Sequence, residues 1–385
     1  MPHKRNYLAA IGDVNRVETW SGTPYHLLQA AKPAGLIDEG LAFEVFERHR
    51  QLRRYAWNLK SVLLGRGRGG YQFSPTCLEQ LWRPAAGQLP GARVINCFQL
   101  YPPSVVTDAR VERWYYIDQT LVQYYGDYGL KAGVSDWAAE DSLRREREGY
   151  GKAIGIVTHS DWARQSLVRD YGFAPEQITV VVPGANLDAD TYRAWSADRM
   201  PSPVAASGPL RLVFVGWDGM RKGLDRLIRA ILRARQSGAE LSLSVVGCPA
   251  SSLPPELREV EGVHWLGFID KQREQRRFLE TVASHDVGCL LSRAEAGGMS
   301  LREFHALGLA VIGPKVGGSP DHVLAEAAHL ITPDADDEAI AALLLRLSRD
   351  RAEVQRLREA SWARRAEVQW SASVAQLQRL WGAAA

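Results

Sequence analysis

Several features that define other protein classes are missing from this chain of 385 residues. It has no run of about 18 apolar residues, so we expect no membrane span. The four cysteines lie far apart without Cys-x-x-Cys metal spacing, which indicates reduced, mostly buried thiols. A net charge of +3 is too small to favour nucleic-acid binding. Because no apolar signal core follows the first residues, we expect a cytoplasmic protein.

Common catalytic and metal motifs are missing as well. Neither a Walker P-loop nor an HExxH zinc motif occurs, and no Ser-His-Asp or Cys-His pattern stands out, which leaves triads assembled in space open. Residues 65–70 match GxGxxG, but they follow an apparent helix without a βαβ context and so predict a loop. Two Asp-x-Asp pairs, at 188–190 and 334–336, fall in predicted loops and do not indicate a metal site.

What the sequence does contain is an alternation of apolar strand patterns with helical patterns, in a chain with 46% apolar and 24% charged residues. Predicted strands begin at Tyr7, Ala92, Arg113, Ile154 and Ile178, and again at Leu210, Leu241, Val263, Val287 and Ala310. A Ser/Ala/Pro-rich linker at 200–208 separates the two groups. The pattern predicts two doubly wound α/β domains with parallel sheets.

The most informative segment runs from residue 293 to residue 312, directly after the apolar run 287–292. Glu295 lies in a loop that ends in a Gly pair, a helix is predicted to begin near Met299, and Glu303 lies about one turn into it. The free N–H groups and partial positive charge of a helix N-terminus suit a phosphate. Carboxylates on either side of that phosphate would accept hydrogen bonds from hydroxyls of a sugar and of a ribose.

A second candidate turn follows the strand that ends at Gly216. Arg221 and Lys222 precede a predicted helix, and they are expected near the C-terminal edge of the sheet, where ligands bind in open α/β folds. Arginine and lysine are the usual partners of a diphosphate. The alternative is that the two residues form a solvated helix cap.

The pattern Glu295-x7-Glu303, with GLAVIGPKVGGSPD at 308–321, resembles the retaining GT-B glycosyltransferases of family 4. Their signature is Glu-x7-Glu, then a helix and G-x-P-V-I…GG-x-P-E. Three positions depart from it, because Ala310 stands where Pro is usual, Asp321 stands for Glu, and Gly297 replaces an aromatic residue.

The resemblance implies a GT-B fold, with two Rossmann-like domains facing a cleft. Residues 1–200 would bind the acceptor, residues 201–370 the nucleotide sugar, and 371–385 would form a helix that packs back on the first domain. Such an enzyme moves a hexose from a nucleotide-diphosphate sugar, with UDP-sugars favoured, to a hydroxyl of an acceptor that is a sugar, a natural product or lipid-linked. It needs neither a metal ion nor a cofactor.

The resemblance also implies residue roles. It assigns catalysis to Asp118, Lys222 and Glu295. It assigns donor binding to Gly22, Arg221, Lys222, Glu295, Gly297, Gly298, Met299, Ser300, Leu301 and Glu303. Trp217 occupies the position of an Arg that is typical of the family, and whether Arg221 replaces that Arg is left open.

In the first domain, residues 158–167 and 182–188 are similar to family motifs, and Ser160 is expected to cap a helix. Asp118 belongs to an Asp-x-Thr pattern that one subgroup has in place of a cleft His. Gly22 resembles the Gly of a loop that approaches the ligand closely. His26, one turn further on, is expected at the surface.

Two questions remain open at this point. The basic run 48–68 would either touch anionic lipid weakly or form a solvated helix face, and the solvated face is favoured. The alternatives to a transferase are a nucleotide-sugar epimerase or phosphorylase of GT-B fold, and a non-catalytic partner subunit that binds nucleotide sugar. Trp217 and Gly297 motivate the last of these.

Overall fold

A computed structural model describes residues 4–43 and 47–382, without the side chains of 47–50 and 382. The chain divides into two compact units, one of residues 1–182 with 374–385 and one of residues 183–373. In the described parts, each unit is built on a six-stranded sheet whose paired strands are all parallel. The predicted α/β class with two parallel sheets is therefore confirmed.

The sheet of the first unit has the strand order β2-β1-β3-β4-β5-β6. Its strands are β1 (Asn6–Ala9), β2 (Glu39–Gly40), β3 (Arg93–Asn96), β4 (Glu112–Ile117), β5 (Gly155–Thr158) and β6 (Ile178–Val180). The helices between them are α1 (Thr23–Ala31), α2 (Glu47–Leu63), α3 (Pro75–Trp82), α4 (Pro103–Thr107), α5 (Leu121–Tyr125), α6 (Asp136–Gly151) and α7 (Asp161–Tyr171). Ser160 caps α7 by accepting from the Ala163 N–H, as the sequence predicts.

The second unit repeats the architecture with the order β12-β11-β10-β7-β8-β9. Its strands are β7 (Leu210–Gly216), β8 (Leu241–Gly247), β9 (Val263–Gly267), β10 (Val287–Cys289), β11 (Ala310–Pro314) and β12 (Ala328–Ile331). Its helices are α8 (Ala189–Ser196), α9 (Leu224–Gln236), α10 (Gln275–Ala283), α11 (Met299–Ala306), α12 (Asp337–Arg349) and α13 (Arg351–Ala363). Strand β7 is the point where the strand order reverses, so β7 and β10 end side by side at the switch point, where open α/β sheets bind ligands.

Helices flank each sheet, and the middle strands of the second sheet are mostly apolar. Strands β10 and β11 are fully buried, and β7 is apolar except for Arg211, which pairs with Asp286. In the second unit Phe214 and Val311 have no exposed surface. Residues 183–200 belong to this unit, where Tyr192 and Trp195 join its core and the Tyr192 hydroxyl donates to the Ala306 carbonyl at 2.6 Å. Residues 201–205 have neither helix nor strand structure.

The last helix, α14 (Trp370–Gly382), belongs to the first unit from Val374 onward. There the Trp381 carbonyl accepts a hydrogen bond from Arg93 Nη1 at 2.8 Å. The rings of Trp381 and Trp114 pack edge to face, with their centroids 6.2 Å apart. All four cysteines are buried and free, as predicted. None of the described helices has the length and apolar character that crossing a membrane requires.

Candidate functional site

The turn between β10 and α11 has the predicted form of strand, loop and helix start. Gly298 precedes the helix with φ +84°, a left-handed conformation that favours glycine. The helix begins at Met299, and residues 300–306 are all buried. The Ser300 hydroxyl is buried and makes no hydrogen bond within the described part of the chain. A polar atom is thus available beside the first N–H groups of the helix.

The turn between β7 and α9 lies against the β10–α11 turn. The Leu291 N–H donates to the Lys222 carbonyl at 3.2 Å, and the Arg293 N–H donates to the Arg221 carbonyl at 2.8 Å. Gly223 has φ +72°, and a Cβ there would lie 2.0 Å from the Leu291 carbonyl oxygen. Only glycine therefore permits this close approach, which fixes the positions of Arg221 and Lys222.

Both cations of the β7–α9 turn reach Glu295. Lys222 Nζ lies 3.2 Å and Arg221 Nη1 3.5 Å from Glu295 Oε2, and the Ser292 hydroxyl donates to the same oxygen at 3.1 Å. Burial raises the pKa of the Glu295 carboxyl, but the charges of Lys222 and Arg221 outweigh it, and the net pKa is lowered. Glu295 is therefore ionised at neutral pH.

The local charge balance favours an anionic ligand. Arg221 also lies 3.4 Å from a carboxylate oxygen of Asp218, but the Asp218 side chain is 49% exposed and water screens that pair. Around the buried Glu295 carboxylate stand two cations, whose side chains are only 33% and 16% exposed. These two partly buried cations would attract a phosphate or diphosphate.

Glu303 occupies the predicted place in α11, and its carboxylate is 2% exposed. Its partner is Lys271, whose ammonium group donates to Glu303 Oε1 and also lies 4.3 Å from the centre of the Phe278 ring. Lys271 comes from the loop between β9 and α10, and no motif in the sequence singles it out.

Gly297, where the family usually has an aromatic residue, lies against another ring. A Cβ at Gly297 would be 2.7 Å from Cε1 and 2.8 Å from Nε2 of His322. The Gly318 N–H donates to the Glu295 carbonyl at 3.2 Å, so the residues around His322 lie against the Glu295 loop. The imidazole of His322 thus excludes a side chain at position 297.

A further ion pair supports the β7–α9 turn. Both carboxylate oxygens of Asp225, which is 1% exposed, accept from Arg293 at 2.7 and 2.8 Å. Arg293 Nη1 also donates to the Met220 carbonyl at 2.5 Å. A bidentate pair of this kind fixes geometry as well as charge. The sequence gives Arg293 no role, because its partner lies 68 positions away.

In the first unit Asp118 follows β4 at the carboxyl edge of the sheet. The His159 N–H donates to the Ile117 carbonyl at 2.9 Å, which places His159 beside it at the end of β5. Burial, and then the charge of Asp118, raise the pKa of the Cys97 thiol at the end of β3. Burial lowers the pKa of His159 to about 3, so its imidazole is neutral.

Two buried polar atoms lie at this same edge without a hydrogen-bond partner among the described residues. They are Nε2 of His159 and Oε1 of Gln119, and both residues are 7% exposed. The Gln119 carbonyl is fixed by Gln99 Nε2 at 2.9 Å. Buried polar groups in proteins are nearly always hydrogen-bonded, so each of these two atoms is expected to bond a further polar group. In the sequence, His159 is recognisable only as part of the motif at 158–167.

Glu146 of α6 holds the turn after Asp118 in place through hydrogen bonds. Glu146 is fully buried and accepts from the Leu121 N–H at 2.9 Å, the Tyr150 hydroxyl at 2.7 Å and the Tyr171 hydroxyl. Burial raises the pKa of Glu146 to about 8, although these hydrogen bonds act against it. Glu146 is thus a largely neutral acid that positions the start of α5.

The Gly22 loop has an unusual backbone. Trp20, Ser21 and Gly22 have φ of +50°, +55° and +83° in succession, just before α1 begins. Left-handed non-glycine residues are strained and concentrate at functional sites. The expectation that His26 lies at the surface is wrong, because His26 is only 7% exposed. Its ring packs against Gly22, where an added Cβ would lie 3.4 Å from His26 Cδ2.

The predicted residues thus fall into two groups, one in each unit. Arg221, Lys222 and Glu295 are in contact, and Gly298 adjoins them, since a Cβ there would lie 3.4 Å from Glu295 Cγ. Asp118 and Gly22 belong to the first unit. Within the described residues no group of three or more His, Cys, Asp or Glu side chains is arranged to hold a metal ion.

Comparison with known protein families matches residues 209–350 to the model described as glycosyl transferases group 1. Among curated proteins, a D-inositol 3-phosphate glycosyltransferase of Xylanimonas cellulosilytica is 31% identical over 225 residues, which are 55% of this chain and 52% of that protein. The amylovoran biosynthesis glycosyltransferase AmsK of Erwinia amylovora is 29% identical over 157 residues, 38% of each chain. The chain therefore spans about half the length of the first of these relatives.

Solved structures show the fold. Sucrose-phosphate synthase of Thermosynechococcus elongatus superposes with a TM-score of 0.69 at 16% identity, over 98% of both chains. Anabaena HepE in complex with UDP gives a TM-score of 0.66 at 15% identity, over 99% of this chain and 100% of that one. HepE has also been solved with UDP-glucose. With its two parallel six-stranded sheets, the chain has the predicted GT-B fold.

Proposed function

We propose, on the premise that residues 209–350 match the group 1 glycosyl transferase model, that the chain moves a hexose from a nucleotide-diphosphate sugar to an acceptor hydroxyl, with retention and without a metal ion. The observation that supports this most is the convergence of Arg221 and Lys222 on the buried Glu295 beside the start of α11. The two cations would bind the diphosphate. Met299, Ser300 and Leu301 would supply backbone N–H groups and the Ser300 hydroxyl to the same phosphates.

The two glutamates would bind the two sugars on either side of the diphosphate. Glu295, ionised because Lys222 and Arg221 are adjacent, would accept hydrogen bonds from hydroxyls of the transferred hexose. Glu303, one turn into α11, would accept from the ribose hydroxyls, and the cation of Lys271 keeps its carboxylate in place. Gly297 and Gly298 would let the backbone approach the donor closely.

In the proposed reaction the acceptor hydroxyl attacks on the face from which the diphosphate leaves. The bond from the anomeric carbon to the phosphate oxygen breaks, the bond to the acceptor oxygen forms, and the departing diphosphate takes the hydroxyl proton. Negative charge grows on the diphosphate, and fixed cations at Arg221 and Lys222 would stabilise it without reorganisation. Holding donor and acceptor in this geometry would lower the activation barrier further.

In the first unit, Asp118 and the Gly22 loop would contribute to sugar or acceptor binding. The acceptor hydroxyls would also meet the buried polar atoms of Gln119 and His159. We favour UDP as the nucleotide, in line with the ligand in HepE. D-inositol 3-phosphate, the acceptor in the name of the Xylanimonas relative, is one compound for the acceptor screen, together with sugars and lipid-linked sugars.

The test is thermal stabilisation of the wild type and of Glu303→Ala by UDP-, GDP-, ADP- and dTDP-sugars. A ligand that binds only the folded state raises its stability, by about 2.7 kcal/mol at a concentration 100 times Kd. We expect one nucleotide class to stabilise the wild type and to lose its effect in the variant. Equal stabilisation of both proteins would contradict the role of Glu303, and no shift with any donor would contradict the proposed donor site.

Turnover separates the transferase from its alternatives. Transfer to an acceptor supports the proposal, whereas release of an isomerised sugar indicates an epimerase and dependence on inorganic phosphate indicates a phosphorylase. Donor binding with neither transfer nor slow hydrolysis indicates a non-catalytic partner subunit. Against that last alternative, Arg221 brings a guanidinium to the site although Trp217 holds the position where the family usually has Arg.

A further inference from the structure

Helix α2 of the first unit turns its apolar side to solvent. Leu52, Tyr55, Leu59 and Leu63 are spaced three or four residues apart, so they share one face of the helix. Their exposed fractions are 68%, 60%, 63% and 78%. Val62 and Leu64 beside them are also about half exposed. We call these six residues the α2 stripe. A helix that packs on its own domain normally buries such a face.

The opposite face of α2 is the one that contacts the unit. Ser61 is 4% exposed, Asn58 Oδ1 accepts from the Gly69 N–H at 2.9 Å, and the Trp57 ring lies 6.0 Å from that of Tyr71. Arg53 Nη1 donates to Gln80 Oε1 of α3 at 2.9 Å. The helix is therefore attached through polar and aromatic side chains, and its outward-facing stripe is a consequence of that attachment.

The segment that carries the stripe is basic. From residue 48 to residue 78 the sequence contains no Asp or Glu. Its basic residues are Arg48, Arg50, Arg53, Arg54, Lys60, Arg66 and Arg68. The side chains of Arg48 and Arg50 lie outside the described residues, whereas the other five residues are exposed. Their charges are not neutralised by acidic residues within this segment.

These observations together select the kind of partner. A second copy of the chain on the same face would bring two basic segments together, which is unfavourable. A bilayer with anionic lipids offers apolar depth for the leucines, an interface suited to tyrosine and negative head groups for the basic residues. The sequence alone favours a solvated helix face, and the exposed α2 stripe reverses that preference.

We propose that α2 binds along the surface of an anionic lipid bilayer, with the α2 stripe in the acyl boundary and Lys60 and Arg68 at the head groups. The contact is peripheral and reversible. It is independent of sugar transfer, so it is correct or wrong whether or not the proposed activity is found.

Sedimentation with vesicles tests the proposal on the full chain. The vesicles are phosphatidylcholine alone, or phosphatidylcholine mixed with phosphatidylglycerol, at low and high salt. We expect sedimentation only with the anionic vesicles, and less of it at high salt because ions screen the head groups. No sedimentation with anionic vesicles, or equal sedimentation with both kinds, would overturn the proposal.

Two sets of variants separate the apolar and the charged contributions. The triple variant L52S/L59S/L63S is compared with L130S/I154S, which changes exposed apolar residues elsewhere in the same unit. The double variant K60Q/R68Q is compared with K32Q/K152Q, which removes the same net charge from the same unit. We expect each α2 variant to lose at least about tenfold in vesicle affinity and each control to retain it.

Circular dichroism and thermal melting show whether each variant is folded. Because the substituted side chains are exposed, little loss of stability is expected. Equal vesicle affinity of the α2 variants and their controls would contradict the proposal. Analytical ultracentrifugation adds an independent outcome, since a dimer that L52S/L59S/L63S abolishes, without vesicle binding by the wild type, would identify the stripe as a self-association surface instead.

Discussion

Lys222 Nζ lies 3.2 Å from Oε2 of Glu295, at the place where the β7–α9 and β10–α11 turns meet. Burial alone would raise the pKa of this glutamate, and the adjacent cations reverse that effect. The pair therefore maintains an ionised carboxylate within a buried, cationic site even without a ligand. An arriving diphosphate would take over part of the interaction with Lys222 and Arg221.

Replacing Lys222 by Met removes one of those cations and retains most of the side-chain volume. We expect the affinity for the nucleoside diphosphate of the preferred donor to fall about ten- to hundredfold, since a hydrogen bond to a charged group contributes about 1.5–3 kcal/mol. Titration calorimetry measures this change. Lys32→Met, at an exposed position of the first unit, is the control, and equal affinities of the two variants would show that Lys222 does not bind the diphosphate.

Because Lys271 and Glu303 form an ion pair, we expect the stability loss of a Lys271 variant to be compensated by a second substitution at Glu303. Lys271→Met leaves the buried Glu303 carboxylate without its cation, so we expect a loss of about 1–3 kcal/mol in the free energy of unfolding. Adding Glu303→Gln removes the uncompensated charge and should restore most of that stability, but not donor binding. Urea denaturation followed by tryptophan fluorescence measures the cycle. Additive losses in the double variant would rule out coupling of the two side chains.

Gly223 and Gly238 form a matched pair for testing the contact between the two turns. Both have left-handed φ, +72° and +88°, but only Gly223 has a backbone oxygen near the position of a Cβ. Gly238→Ala should cost about 1–2 kcal/mol through backbone strain, and Gly223→Ala about 3 kcal/mol or more. Gly223→Ala should also weaken donor binding, because it displaces Lys222. Equal losses in denaturation would show that the contact is relaxed easily.

Glu146 predicts a dependence of stability on pH. Its pKa of about 8 in the folded state exceeds the ordinary value of 4.5, so between these values the folded state binds more protons than the unfolded state. The stability that this group contributes is complete below about pH 4.5 and is lost as the pH rises to about 8, by at most about 1.4 kcal/mol per pH unit.

Glu146→Gln stays neutral throughout that range, so this contribution to the pH dependence should disappear. Denaturation series of both proteins from pH 5 to 8 measure the difference, which should grow with pH in favour of the variant. Parallel curves would mean that Glu146 does not titrate in this range. Glu148→Gln, an exposed position on the same helix, is the control.

The sequence predicts the sheet strands well where they are long and apolar. Strands β7 and β8 and the helix start at Met299 lie where the periodicity and the glycines place them. The sequence misses β2, with only two residues, and β12, whose four residues include His329. Such short segments carry too little periodicity, and their pairing with longer neighbours makes them strands.

The parts of the site that the sequence misses depend on contacts between distant residues. Lys271 meets Glu303, and His322 fills the space beside Gly297, because separate loops converge at one edge of the sheet. The spacing of residues along the chain does not predict such contacts between separate loops. Helix α2 shows a related limit, since its periodicity indicates an apolar face without showing whether that face is buried.

The reactivity of the four buried thiols would measure local opening of the structure. Cys77 and Cys97 belong to one unit, Cys248 and Cys289 to the other, and each is at most 4% exposed. A thiol reagent can therefore react only after the surrounding structure opens, and its rate reads out the frequency of that opening. With two thiols in each unit, mass spectrometry of labelled peptides would measure the opening of the two units separately in one sample. No cysteine would have to be introduced by mutation.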